Sequence, residues 1–371
     1  MQILPLLISL TTFTLTRGVR YPQADAIPPM LEEWYSLIKW NEIPKAPQSP
    51  KGGFPDCDEG DEFCAWTCTG CMRREDVRVC PDKGIWGLTY DDGPTEFSTA
   101  LLDYLDAINQ KATFFIIGSR AVDHGHLLER AFKAGHHIAS HTWSHRPLTS
   151  LSNEQIVAEM KWTEHAIRDR IGVTVKYMRP PFGDIDDRVR GILAQLGYRI
   201  VIWSHDSNDW MLKENVGFSY EWIGGNFTRW EVESRDWKTG AISLEHDLYE
   251  ITVKAAIQVL PALRRTFTVV PVATCLNDPH PYVENISYPT LEDFLRTSSV
   301  NRTSTLSPPL ASTSASSRDF PSPTPTEFVK TRNPTSAHKA WSGAAAKEEG
   351  ELKRLLLWLA LIQSAFFICT L

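Results

Sequence analysis

Two neighbouring carboxylates open the chemistry available to this chain. Thr89-Tyr90-Asp91-Asp92-Gly93-Pro94 places Asp91 and Asp92 directly after an apolar run. Such groups repel each other and are costly to bury without a partner. A metal ion resolves the conflict, because one Asp can ligate it while the other stays free as a base. The bland alternative is an Asp-Gly-Pro turn with Asp91 solvated. His141-Thr142-Trp143-Ser144-His145 supplies two imidazoles four apart, which can face one ion from a single helical turn. With one carboxylate they make a three-ligand site that keeps positions open for water and substrate, as a catalytic zinc requires. His124, His126, His136 and His137 lack that setting and are expected on the surface or in the core.

Three further clusters follow. Arg179-Pro180-Pro181-Phe182-Gly183-Asp184 offers a guanidinium fork to a carboxylate, on a loop stiffened by prolines. Asp206-Ser207-Asn208-Asp209-Trp210 comes next, and then Leu244-Glu245-His246-Asp247. His246 is a strand-end His outside the pair at 141 and 145, which makes it the candidate proton donor.

All five clusters need a frame, and from Gly84 the hydrophobic pattern supplies one. Strands are expected at Ile85–Tyr90, Ala112–Ile117, His137–Ser140, Val175–Met178, Arg199–Trp203, Ala241–Leu244 and Phe267–Val272. Helices are expected at Glu96–Asn109, Ala121–Ala134, Ser152 to about Arg170, Asp186–Leu196 and Val253–Arg265. Ser152 caps its helix, with Glu154 and Gln155 in the first turn. Strands alternating with helices mean a parallel sheet covered by helices. About seven strands predict an α/β fold, a distorted (β/α) barrel smaller than the eight-fold one, with an open doubly wound sheet as the alternative. Either way the functional residues belong where strands end.

Taken together and in order, Thr89–Pro94, His141–His145, Arg179–Phe182, Asp206–Trp210 and Leu244–His246 resemble the five motifs of the NodB-type polysaccharide deacetylases (carbohydrate esterase family four), and most of all the GPI-anchored chitin deacetylases of fungi. The resemblance covers about Cys80 to Cys275. It implies that Asp92, His141 and His145 hold a divalent metal: zinc first, with cobalt or another divalent ion as alternatives. It implies Asp91 as the general base toward water, Arg179 as its support, and His246 as the acid that protonates the leaving amine, tuned by Asp209. Phe182 would offer a backbone N–H to the oxyanion, and Trp210 and Leu244 would wall the pocket for the acetyl methyl. The chemistry is consistent with amide hydrolysis, since a bound metal lowers the pKa of water from about 15.7 toward 7. The implied activity is hydrolysis of N-acetyl groups in chitin, giving chitosan and acetate. An acetylxylan esterase or other polysaccharide O-deacetylase is one alternative, and a catalytically dead wall-binding protein another. Tyr90 stands where many relatives have Phe, and His205 where a small apolar residue is common. His205 is expected to be a packed strand-end residue. Trp203, Trp222, Trp230 and Trp237 crowd the same half, where one or two could stack on sugar rings and core packing explains the rest.

The two ends read as addresses. Leu4 to Leu15 is a short apolar run in the place of a secretory signal, with cleavage expected between Thr16 and Tyr21. At the other end, small residues from Ser342 to Ala346, a polar spacer from Lys347 to Arg354, and an apolar tail from Leu355 to Leu371 follow the order of a GPI signal. Ser342 and Gly343 are the candidate attachment residues, and a simple tail anchor is the alternative. The organisation expected is a signal peptide over 1–18, a Cys-rich extension over 19–79, and a catalytic domain over 80–275. A C-terminal core segment over 276–296, a Ser/Thr/Pro-rich disordered linker over 297–342 and a removed propeptide over 343–371 complete it. Asn226, Asn285 and Asn301 head N-glycosylation sequons.

Cys57, Cys64, Cys68, Cys71, Cys80 and Cys275 remain once Cys369 leaves with the tail, an even number in an oxidising compartment, so disulfides are expected. A Cys80–Cys275 staple joining the two ends of the core is one guess. A zinc knot among the first four lacks the usual paired spacing. Of 371 residues, 38 are Lys or Arg and 45 Asp or Glu, a net charge of −7 that argues against a nucleic-acid binder. The expected protein is secreted, of fungal type, monomeric, held to the plasma membrane only through a GPI lipid with possible transfer to the wall, and partnered by chitin or N-acetylglucosamine oligomers.

Overall fold

The computed structural model describes residues 20–296 apart from 58–59 and 215–216. The signal peptide, the Ser/Thr/Pro linker, Asn301, and the attachment residues Ser342 and Gly343 lie outside the described residues.

Among the described residues there are nine strand segments: β1 Ile85–Gly87, β2 Thr89–Asp91, β3 Thr113–Ile116, β4 His137–Ser140, β5 Tyr177–Met178, β6 Arg199–Ile200, β7 His205–Asp206, β8 Ala241–Leu244 and β9 Thr268–Val270. Every pairing between them is parallel. One sheet runs β7-β8-β1-β9 and the other β2-β3-β4-β5-β6. Only Leu88 separates β1 from β2, so they are two halves of one strand that changes neighbours at its middle. Residues 201–204 carry β6 on to β7, with Ser204 N donating to Ile242 O. The two sheets therefore join at both seams into a distorted barrel of seven strands, as the alternation predicts. Asp91 bridges directly to His246, which ties β2 to the end of β8.

Alternation along each strand separates two apolar layers. Phe115, Ala139, Tyr177, Val201, Ile242 and Val270 share one cluster. Their strand neighbours Phe114, Ile138, Met178, Ile200, Ala241 and Val269 belong to the larger cluster that meets the helices. Those helices are α1 Ser98–Ala107, α2 Gly118–Asp123, α3 Gly125–Lys133, α4 Asn153–Ile171, α5 Asp187–Gln195, α6 Tyr220–Glu233 and α7 Glu250–Thr266. α4 starts at a capping box: Ser152 accepts from Gln155 N while the Gln155 side chain accepts from Ser152 N. Such a cap contributes about 1 kcal/mol.

Two elements differ from the pattern in the sequence. The single helix expected over Ala121–Ala134 is two, α2 and α3, which meet at His124. Gly125 opens α3 against the Arg170 side chain, where a Cβ would sit 2.5 Å from Nε. The helix α6 has no counterpart in the hydrophobic reading, because Gly224 and Gly225 interrupt it and lower its helix propensity.

The extension before the barrel is a belt around it. Trp34 packs against Trp162 of α4, Ser49 Oγ bonds Thr149 Oγ1 at 2.8 Å, and Trp66 packs edge-on against Trp203. Arg190 of α5 donates to the carbonyls of Cys64 and Cys71 and pairs with Asp76. Disulfides join Cys57 to Cys68, Cys64 to Cys71 and Cys80 to Cys275. The last spans 195 residues and links the start of the barrel to the short helix after β9.

Candidate active site

β2, β4, β5, β7 and β8 all end at one mouth of the barrel, and their next residues are the five polar clusters. Asp92 Oδ1 lies 3.4 Å from His141 Nε2 and 3.2 Å from His145 Nε2. One ligand atom from each of the three residues falls within 4.8 Å of the other two. His141 Nδ1 is 2.8 Å from the Arg179 carbonyl, which can only accept, so Nδ1 carries a proton and Nε2 is the nitrogen turned to the cluster. Burial pushes the His145 imidazole down to about 3, leaving it neutral at pH 7. Burial also opposes ionisation of Asp92, but the charge of His145 and the hydrogen bond and charge of His141, exerted while those rings hold a second proton, outweigh it and hold the carboxyl well below its usual range. Asp92 Oδ1 is buried and has no hydrogen-bond partner among the described residues. A carboxylate oxygen and two imidazole lone pairs, converging without a donor between them, fit a divalent cation.

The stretch from His141 to His145 is not the helical turn that its spacing suggests. It is a loop in which Thr142 and His145 take φ of 65° and 54°. Both imidazoles reach the same point because the chain doubles back between them. Two residues are thereby held in the left-handed region, which costs free energy and persists because the surroundings impose it.

Asp91 sits beside this cluster, its Oδ2 3.9 Å from His141 Nε2. Its other oxygen accepts from Arg179 Nη1 at 2.8 Å. Burial pushes the Asp91 carboxyl up, while Arg179, His141 and His246 pull it back. Arg179 does not present the two-pronged fork expected of it. Nη1 is shared with Thr89 Oγ1, and the remaining nitrogens point to the carbonyls of Val201, Ile202 and Ser243 at 3.3–3.5 Å. The guanidinium is fully buried, 4.3 Å over the Phe115 ring, and spreads its donors over three strand ends.

Across the mouth, His246 Nδ1 is 2.6 Å from Asp209 Oδ1, and His246 N donates to Asp209 Oδ2 at 2.8 Å. Burial lowers the His246 imidazole, but the Asp209 charge and hydrogen bond, with Asp92 and Asp91, carry it up to about 10. Phe182 has φ of 61°, and its ring lies 4.6 Å from that of His145. Phe54 of the belt meets the same ring edge-on at 5.8 Å. Leu244 is buried at the end of β8, and Trp210 is half-buried with Nε1 3.5 Å from Asp206 Oδ2.

The polysaccharide deacetylase family profile matches residues 78–201. Chitin deacetylase 1 of Cryptococcus neoformans var. grubii is 39% identical over 277 residues, which is 69% of this chain and 58% of that protein. Chitin deacetylase 1 of Saccharomyces cerevisiae is 36% identical over 251 residues, 67% of this chain and 77% of that one. The solved chitin deacetylase of Colletotrichum lindemuthianum matches with a TM-score of 0.51 at 31% identity, over 56% of this chain and 94% of its own. The chain belongs to the polysaccharide deacetylase family. It spans little more than half the length of the Cryptococcus relative.

Some residues around this site carry no signal of their own in the sequence. Thr89 both accepts from Arg179 and donates to Ser243 O. Residues Tyr21 to Pro29 run as a strap over the His141–His145 loop and the start of α4. Tyr21 stacks on Trp143 at 5.9 Å, Trp143 Nε1 donates to Gln23 O, and Arg146 donates to Asp25 O. His205 packs among Trp86, Trp230 and Trp237, a core contact. Trp203 and Trp230 are buried, whereas Trp222 is exposed on α6. Asn285 is exposed, and Asn226 lies within α6 with its side-chain nitrogen donating to Ser207 O.

Proposed function

We propose that this chain removes N-acetyl groups from N-acetylglucosamine units of chitin, releasing acetate and leaving chitosan. The observation that carries the reading is the pairing on each side of the Asp92-His141-His145 cluster. A carboxylate held by a buried Arg stands on one side, and an imidazole held by a buried Asp on the other. Hydrolysis of an amide needs one group to take a proton from water and another to give one to the leaving amine.

Asp91 is the base. Burial raises its basicity and Arg179 fixes the oxygen that does not receive the proton. His246 is the acid: Nδ1–H is committed to Asp209, so Nε2 carries the proton that passes to the amine nitrogen. Asp92, His141 and His145 hold the divalent ion, zinc by preference, which when bound supplies a Lewis acid for the attacking water and the amide oxygen. Phe182 offers its backbone N–H to the developing oxyanion. Leu244 and Trp210 bound the space for the acetyl methyl. The chitin deacetylases named above support this substrate. Three disulfides support a secreted protein, and the terminal signals support a GPI-anchored one at the plasma membrane.

Acetate released from N-acetylglucosamine oligomers, with and without a chelator, tests the reading. Release that stops with chelator and returns with zinc is expected. Release from acetylated xylan alone would move the enzyme to the O-deacetylases, and no release from either would leave a binding protein.

A further inference from the structure

One buried carboxylate near the metal cluster has no part in that mechanism. Glu159 belongs to α4 and is 0% exposed. Its Oε2 accepts from Trp143 N and Ser144 N, both at 2.8 Å, and its Oε1 accepts from Ser144 Oγ at 2.5 Å. Among the described residues, every hydrogen bond of this side chain goes to that one pair. Burying a carboxylate costs several kcal/mol unless donors satisfy it. Here all the donors come from the two residues lying midway between His141 and His145. The backbone on each side of them, at Thr142 and His145, is left-handed. A plain helical turn would direct those two N–H groups along the helix axis. The carboxylate gathers both onto one oxygen instead, which folds the loop back and sets the two imidazoles side by side, ring centroids 4.9 Å apart.

We propose that Glu159 is a positioning residue for the metal: its carboxylate fixes the Trp143–Ser144 turn, so that His141 and His145 stand at ligating separation before the ion arrives. The inference rests on the metal reading of the Asp92-His141-His145 cluster. Partners that orient ligands in this way change metal affinity by roughly 10–100-fold when removed.

The test uses the full chain, stripped of metal, and measures zinc affinity by competition with a chromophoric chelator. Glu159→Gln is expected to weaken zinc binding at least tenfold. At saturating zinc its kcat should fall while KM for oligomers holds, a split that a general loss of stability would not produce. Ser144→Ala keeps the carboxylate and removes one donor, so it should weaken zinc by a few-fold, and it serves if Glu159→Gln does not fold. Zinc binding within twofold of wild type in the folded variants would overturn the inference and leave the metal reading standing. A wild-type chain that takes no zinc would overturn both.

Discussion

Arg179 Nη1 lies 2.8 Å from Asp91 Oδ1 and 2.8 Å from Thr89 Oγ1, inside a barrel where none of the three is solvent-exposed. The guanidinium thus joins the base to the strand that carries it and, through its other nitrogens, to the opposite wall. Removing one partner of such a pair strands a charge in the interior. Arg179→Ala should lose about 3–5 kcal/mol of stability, read by denaturant unfolding. Asp91→Asn should cut acetate release by at least about 100-fold and keep zinc affinity within a few-fold of wild type. Near-normal release by Asp91→Asn would remove the assigned base.

His246 owes its high pKa to Asp209 more than to any other charge, against the pull of burial. A raised imidazole is protonated below its pKa, so it can give a proton across neutral pH and no longer can as pH climbs through that value. Asp209→Asn removes the leading charge and should bring the alkaline limb of the kcat profile to lower pH, with kcat reduced. An alkaline limb that stays in place would show that another group sets it.

Asp184 is buried, and burial pushes its carboxyl up to about 7 despite hydrogen bonds from Thr149 and Thr67. A carboxylate ordinarily titrates near ~4. The folded value lies above the unfolded one, so this group's contribution is complete below pH ~4 and is lost as pH rises through about 7. The unfolding midpoint of Asp184→Asn relative to wild type should therefore climb between pH 4 and pH 8. A constant gap over that range would rule the titration out.

The Cys80–Cys275 bond closes the longest loop in the fold, 195 residues. Removing a native disulfide typically costs about 2–5 kcal/mol. The double variant Cys80→Ser/Cys275→Ser should lose stability in that range. Oligomer KM should change little, because the bond sits at the end of the barrel where β1 begins rather than at its mouth. A KM shift larger than the stability loss would contradict this placement.

How much could be read from the chain before folding depends on how the information is written. The five motifs were legible because strand-end chemistry is consecutive in sequence, and the alternation of short apolar runs with helices gave the barrel. Glu159 was not, because it acts on backbone N–H groups fifteen and sixteen residues away, and nothing in its type or spacing marks that. The same carboxylate explains why a pair of His four apart, read as a helical turn, is a looped turn. Arg179 showed a fork in sequence and a hub in space, since its partners are carbonyls that any residue would offer. The strap at Tyr21 depends on aromatic contacts spanning more than a hundred positions. α6 was hidden by Gly224 and Gly225, where tertiary packing of Phe227 and Trp230 overrides local propensity.

Asp91 N donates to Glu245 O, and Asp247 N donates to Asp91 O, on either side of His246. The proposed base and the proposed acid are therefore rungs of one ladder, and their gap has the stiffness of a sheet. Such a jaw cannot widen for a bulkier unit. Tolerance for different lengths or decorations of polymer would have to come from the rim, where Phe54 of the belt and Trp210 lie.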